Sequence, residues 1–333
     1  MPIDRPQIYD NHGRPIQYLR LAVTDRCNLR CFYCMPEEGI AYLPKKQLLT
    51  YEEMLRITSV LAGLGVRKVR ITGGEPFVRH QLPNFLYQLA DIEGIDEIAI
   101  TTNGVLTQKY IPDLKKIGVK TINLSLDSLD RQRFYEITRR DEFPKVEACL
   151  YELLDAGFEV KLNAVVMEGR NIEDLIPLAR LTEKYPVSVR FIEEMPFNGE
   201  GSHYPTLHWT YRRILEHLQT EFPDIQKQID PLNSTAYHYQ IPGFLGSIGI
   251  IAAFSRTFCG TCNRIRMTAQ GTLKTCLYDD GVLNVRDLIR SGISDEALQQ
   301  EFIRVFQKRP KDGYEAENNR QSLVHESMTT IGG

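Results

Sequence analysis

No stretch of this chain is apolar for anything near the roughly 20 residues that a membrane-spanning helix requires. The opening segment MPIDRPQIYDNHG is polar and lacks the apolar centre of a secretory signal, so a cytoplasmic protein is expected. A basic excess is missing as well. With 40 Lys and Arg against 43 Asp and Glu, the formal net charge is −3, too little positive charge to grip a phosphate backbone, which argues against a nucleic-acid partner. Long linkers, low-complexity tracts and internal repeats beyond a strand–helix alternation are also lacking. Seven cysteines in 333 residues are too few for a disulfide scaffold, and a reducing compartment would keep them as thiols. What remains, 42% hydrophobic and 25% charged, is the composition of an ordinary globular enzyme.

Short β-branched runs alternate with longer amphipathic stretches. Strands are expected at YLRLAV (18–23), VRKVRIT (66–72), EIAITT (97–102), TINLSLD (121–127), EVKLNAVVM (159–167) and VSVRFIE (187–193). Helical patterns lie between them, among them TYEEMLRITSVLAGLG, LTQKYIPDLKKIG with a closing glycine cap, and NIEDLIPLARLTEKY with an opening asparagine cap. Six such units predict an α/β fold with parallel strands: an incomplete (β/α)6 barrel resembling an open TIM barrel, with a flat doubly wound sheet second. The alternation stops near residue 195. Residues 1–200 would be the partial barrel, and 201–333 a C-terminal extension docked on it, with a helix near 208–219, a strand in GSIGIIAAF and a helix near 294–307.

The cysteines fall in two triplets and a bystander, Cys149, whose helical setting suits a small buried apolar residue. Cys27, Cys31 and Cys34 form C-x3-C-x2-C directly after the first strand. Cys259 and Cys262 form C-x2-C, followed after thirteen intervening residues by Cys276. Thiolates suit zinc or an iron–sulfur cluster. The plainer reading is zinc, which would need a fourth ligand for each triplet; His238 and His325 are available for the second, and nothing selects either. The alternative is a pair of 4Fe–4S clusters, each with one iron left open.

Other residues bear on the same chemistry. The second strand runs into GGEP (73–76), a turn that is weak evidence alone. Arg264 and Arg266 alternate on an extended segment and would share one face, making a site for a polyanion or a counter-charge for an anionic cluster. Arg20, Arg70, Lys161 and Arg190 are each a cation inside an otherwise apolar strand. Such placement implies either an ion pair or a ligand.

Taken together, C-x3-C-x2-C after a first strand and GGEP after a second resemble the radical S-adenosylmethionine (SAM) enzymes. Adding the late C-x2-C-N-R-x-R with its third cysteine and the terminal GG, the chain resembles the GTP 3′,8-cyclase family from about residue 18 to its end. The resemblance implies two 4Fe–4S clusters, on Cys27, Cys31 and Cys34 and on Cys259, Cys262 and Cys276, with SAM filling the open iron of the first. It implies SAM contacts from Tyr33, Gly74, Glu75, Ser125 and Met195. For GTP it implies Arg20, Arg70, Thr101, Lys161, Arg190 and the stretch Arg264, Ile265, Arg266. Catalytic roles would fall to Arg264, Arg266, Gly332 and Gly333. The implied reaction is hydrogen abstraction from C3′ of GTP by a 5′-deoxyadenosyl radical, followed by attack on C8. Glu194 departs from the pattern, since an apolar or aromatic residue is expected before Met195. The implied partners are a low-potential electron donor of flavodoxin or ferredoxin type, a cyclic pyranopterin monophosphate synthase that takes the product, and a second copy in a homodimer.

Overall fold

In a computed structural model of the chain, residues 6–197, 206–321 and 326–332 are described. The six expected strands form: β1 (Tyr18–Ala22), β2 (Lys68–Thr72), β3 (Glu97–Thr102), β4 (Thr121–Ser125), β5 (Glu159–Val166) and β6 (Ser188–Glu193). They lie side by side in chain order, all parallel. The crossovers carry α1 (Tyr51–Gly63), α2 (Leu82–Ala90), α3 (Ile111–Ile117), α4 (Arg131–Thr138), α5 (Phe143–Asp155) and α6 (Leu175–Lys184). Local sequence explains several boundaries. Thr50 and Glu53 make a reciprocal capping box that starts α1, worth about 1 kcal/mol. Gly118, at φ 86°, ends α3 in the left-handed region that glycine enters most readily.

The C-terminal part adds α7 (Tyr211–Glu221), β7 (Gln226–Lys227), β8 (Ala236–Gln240), β9 (Ser247–Ile251), β10 (Arg264–Met267), β11 (Thr272–Lys274) and β12 (Leu283–Asn284), then α8 (Val285–Arg290), α9 (Asp295–Phe306), α10 (Gly313–Asn318) and α11 (Met328–Ile331). The expected strand in GSIGIIAAF and both expected helices are among them. The number of barrel strands is larger than expected. β9 pairs parallel with β6, and β10 pairs parallel with β1, so the C-terminal part extends the barrel sheet at both edges. The result is a 12-stranded sheet in the order β12-β11-β10-β1-β2-β3-β4-β5-β6-β9-β8-β7, with antiparallel hairpins outermost. Its ends, β12 and β7, do not pair with each other, so the barrel is open. One hydrophobic core runs through both halves, from Leu19 and Ile71 to Ile250, Ile265 and Phe302. The expected boundary at 200/201 falls outside the described residues.

Strand alternation sorts the two faces. In β5, Val160, Leu162, Ala164 and Val166 are buried on the core side, while Lys161, Asn163 and Val165 face inward. In β10, Ile265 and Met267 join the core, and Arg264 and Arg266 face inward. Asn171 differs from its expected role: it makes no cap hydrogen bond, and its amide instead donates to the carbonyls of Asp127 and Val165. Asn171 is fully buried, and its amide satisfies two backbone carbonyls at this loop junction.

Candidate active site

The barrel interior opens into a cavity of about 550 Å³ lined by all six clustered cysteines. Cys27, Cys31 and Cys34 sit on the loop after β1. Two N–H groups approach the first sulfur: Leu29 N lies 3.4 Å and Asn103 Nδ2 3.7 Å from Cys27 Sγ. The GGEP turn holds this loop in place. A Cβ on Gly73 would stand 2.5 Å from Thr24 O, and one on Gly74 would stand 2.2 Å from Arg26 O. These glycines therefore let the cysteine loop pack on the turn. Gly74 also lines the cavity, together with Tyr33, Ser125 and Met195.

Glu75 lies elsewhere. It is fully buried and absent from the cavity lining. Its carboxylate accepts from Thr102 Oγ1 at 2.8 Å, Asn103 N at 2.7 Å and Phe77 N at 3.2 Å. Burial pushes it up to about 7 against those three donors. The family resemblance implies this carboxylate near a ligand ammonium; the structure places it beneath the turn, tying the end of β3 to the GGEP turn.

The second triplet faces the same cavity. Cys259 and Cys262 bound a single helical turn, and Cys276 follows β11. Asp279 Oδ2 accepts from the N–H groups of Thr275 and Cys276, each at 2.8 Å, and so fixes the third cysteine. Burial pushes Cys34 and Cys276 up to about 12 and Cys27 to about 11. At neutral pH these are thiols, and taking up a cluster as thiolates releases protons. Cys262 is the exception. Burial raises it too, but Arg264 and Arg309 overturn that and bring it down to about 6.

Between the two triplets runs a band of cations. The parallel register places Arg266 beside Arg20 and Arg20 beside Arg70, three guanidiniums on one rung of the sheet. Arg190 reaches in from β6. The Nε atoms of Arg20, Arg70 and Arg190 and Nη2 of Arg264 are buried and have no hydrogen-bond partner among the described residues. Burial, then Arg266 and Arg70, drive Arg20 well below its ordinary value; burial and a neighbouring arginine bring Arg190 and Arg266 to about 10. A guanidinium does not give up its proton at neutral pH, so these shifts measure destabilisation that a bound anion would relieve. Lys161 differs, being paired with Glu159 at 2.7 Å. Thr101 also lines the cavity, with its hydroxyl buried and without a partner among the described residues. Ile265 does not, because its side chain belongs to the core behind the two arginines.

The chain tail reaches the same place. Ser327 Oγ donates to Cys34 O at 2.6 Å, Met328 and Thr329 line the cavity, and Arg266 Nη1 donates to Gly332 O at 3.1 Å. Gly333 and His325 lie outside the described residues, and His238 is held by Asp230 at 3.2 Å.

Residues 21–182 match the Radical SAM superfamily, and residues 187–315 match Molybdenum Cofactor Synthesis C. A GTP 3′,8-cyclase of Syntrophomonas wolfei is 39% identical over 336 residues, covering 97% of this chain and 99% of that one. The chain belongs to the GTP 3′,8-cyclase family. A mitochondrial GTP 3′,8-cyclase of Arabidopsis thaliana is 38% identical over 98% of this chain and 83% of its own length. The chain spans less than half of some relatives: the molybdenum cofactor biosynthesis protein 1 of Bos taurus is 43% identical over 87% of this chain but 46% of that protein. The fold is also that of Streptococcus suis SuiB bound to S-adenosylmethionine, with a TM-score of 0.62 at 16% identity over 90% of this chain and 68% of that one. Membership of the radical SAM superfamily brings SAM and a 4Fe–4S cluster, and Cys27, Cys31 and Cys34 put three thiols on the wall of this cavity.

Two residues around this cavity escaped sequence reading. Asp127 accepts from Tyr33 OH at 2.8 Å and from Val165 N, and burial pushes it up to about 6. Its signal was available in NLSLDS, two residues after Ser125 on the same face of an extended segment. Arg309 sits in the polar run QKRPK after α9, and no local pattern marks it.

Proposed function

We propose that the chain converts GTP to (8S)-3′,8-cyclo-7,8-dihydroguanosine 5′-triphosphate, the first step of molybdenum cofactor biosynthesis. The observation that carries this reading is that both cysteine triplets and arginines whose buried nitrogens lack partners among the described residues face one cavity. When bound, a reduced cluster with SAM on its open iron supplies the hydrogen-abstracting 5′-deoxyadenosyl group.

The protein's own part is placement. Cys27, Cys31 and Cys34 would hold the first cluster, and Tyr33, Gly74, Ser125 and Met195 would receive SAM, with Glu75 acting from behind through the turn. Cys259, Cys262 and Cys276 would hold a second 4Fe–4S cluster. Arg20, Arg70, Arg190, Arg264 and Arg266 would take the nucleotide's phosphates and ribose, with Lys161 and Thr101 beside them and Ile265 fixing the two arginines on its strand. Bidentate guanidinium–phosphate contacts fix the ribose relative to the abstracting group, and orientation of this kind removes much of the entropic part of a barrier. Arg266 and the Gly332 carbonyl, already bonded, close the site against water, with Gly333 next in chain. The reading includes a flavodoxin- or ferredoxin-type reductant, transfer of product to a cyclic pyranopterin monophosphate synthase, a homodimer and a cytoplasmic setting. No helix among the described residues is long and apolar enough to cross a membrane.

Anaerobic protein reconstituted with iron and sulfide, then given dithionite, SAM and GTP, should yield 5′-deoxyadenosine and cyclised nucleotide by mass spectrometry. Deoxyadenosine with unchanged GTP would remove the substrate from this reading and leave radical SAM chemistry on another one.

A further inference from the structure

The three thiols of the second set come from two separate pieces of chain, a short turn before β10 and the segment after β11. The β10–β11 pairing joins the two strands, but a group that touches both flanking pieces fixes the separation of the sulfurs most directly. Arg309 does so. It is 3% exposed, and its guanidinium has five N–H donors in one plane. Nε donates to Thr275 O at 2.9 Å, on the Cys276 side. Nη1 donates to Cys262 O at 2.8 Å, and Nη2 to Arg264 O at 2.8 Å and to Cys262 Sγ at 3.2 Å, on the C-x2-C side. The remaining N–H of Nη1 goes to Asp10 Oδ2 at 3.2 Å.

Charge pairing with Asp10 does not account for this placement. Asp10 is already engaged by His12 N and Arg14 N, each at 2.9 Å, and by Arg14 Nε at 2.7 Å. Its contact with Arg309 is the longest of the four. Arg14, in turn, donates to Cys259 O at 3.1 Å and to the carbonyls of Pro310 and Lys311, the two residues that follow Arg309. Asp10 thus joins two arginines that grip the turn from both ends, one at Cys259 and one at Cys262.

We infer that Arg309, braced by Asp10 and Arg14, is a positioning residue for the second cysteine triplet: it sets the separation of its three sulfurs and tunes what they bind through the hydrogen bond to Cys262. The inference rests on the second-cluster reading above. Hydrogen bonds to ligating sulfur and neighbouring positive charge both raise a cluster's reduction potential. A lysine would keep the charge and lose the planar fork; a glutamine would lose both.

The test uses the full chain with Cys27, Cys31 and Cys34 replaced by alanine, so that only the second triplet can take a cluster, with Arg309 intact or changed to Lys or Gln. After anaerobic reconstitution, iron per chain, the electron paramagnetic resonance spectrum of the reduced protein and the midpoint potential are measured. Arg309→Lys is expected to keep most of the iron, with an altered spectrum and a lower potential; Arg309→Gln is expected to lower the potential further or to lose the cluster. Spectrum, iron and potential unchanged in both variants would overturn the inference and leave Arg309 as packing. Absence of any cluster with Arg309 intact would overturn the second-cluster reading itself, and the inference with it. Should Arg309→Gln not fold, Arg309→Lys carries the test alone, since its charge is preserved.

Discussion

Arg20 stands between Arg266 and Arg70 on one rung, and its buried Nε has no partner among the described residues. Like charges directly opposite on neighbouring strands destabilise a sheet, and burial makes it worse. Arg20→Met should therefore make the ligand-free protein more resistant to urea, by about 1–4 kcal/mol. The same change should weaken GTP binding by roughly tenfold or more, the worth of one charge-assisted hydrogen bond, as read by calorimetric titration. Weaker binding with no gain in stability would show that the free protein already compensates the rung.

Glu75 gives a second test at this scale. Its value in the folded protein, about 7, lies above its ordinary 4.5. The folded state therefore binds the proton more tightly than the unfolded chain does. The stabilisation from protonated Glu75 is complete below about 4.5 and is lost as pH rises through about 7. Metal-free protein should lose stability over that window, and Glu75→Gln should flatten the decline in urea midpoints. An unchanged slope would assign the pH dependence to other groups. Sequence reading identified Glu75 as important but not where it points, because a residue in a tight turn can face either side and only the packed neighbours decide.

Among the elements, the turn after β2 and the loop after β1 are built as one object. Gly74→Ala would drive a methyl to 2.2 Å from the Arg26 carbonyl, beside Cys27. Displacing that backbone should cost on the order of 3 kcal/mol. The variant should lose the iron of the first triplet, with 5′-deoxyadenosine formation falling below detection. Iron content equal to that of the parent protein would show that the loop yields more easily than the packing indicates. The six strands of the strand–helix alternation, β1 to β6, were legible from β-branched runs between turn residues. The arginines inside those runs were legible as exceptions to their apolar pattern.

For the whole molecule, the cation band makes stability depend on anions. Inorganic tripolyphosphate, which has the phosphates and neither base nor ribose, should raise the melting temperature. At a hundredfold excess over its dissociation constant the gain is about 2.7 kcal/mol, and it should shrink in the Arg20→Met variant. A melting temperature insensitive to tripolyphosphate would locate the phosphate site elsewhere. GTP should stabilise more than tripolyphosphate if base and ribose are also recognised.

The sequence alone determined the strand–helix alternation, the two sulfur sets and the identity of the misplaced cations, because each is written in residue types at short spacing. It could not determine that β9 and β10 join opposite edges of the barrel, because pairing between strands far apart in the chain depends on contacts that no local window contains. That pairing brings Arg266 to Arg20 and the second triplet to face the first. Arg309 belongs to the same class: a single arginine after a helix acquires its role only when folding places five acceptors from distant segments around one guanidinium.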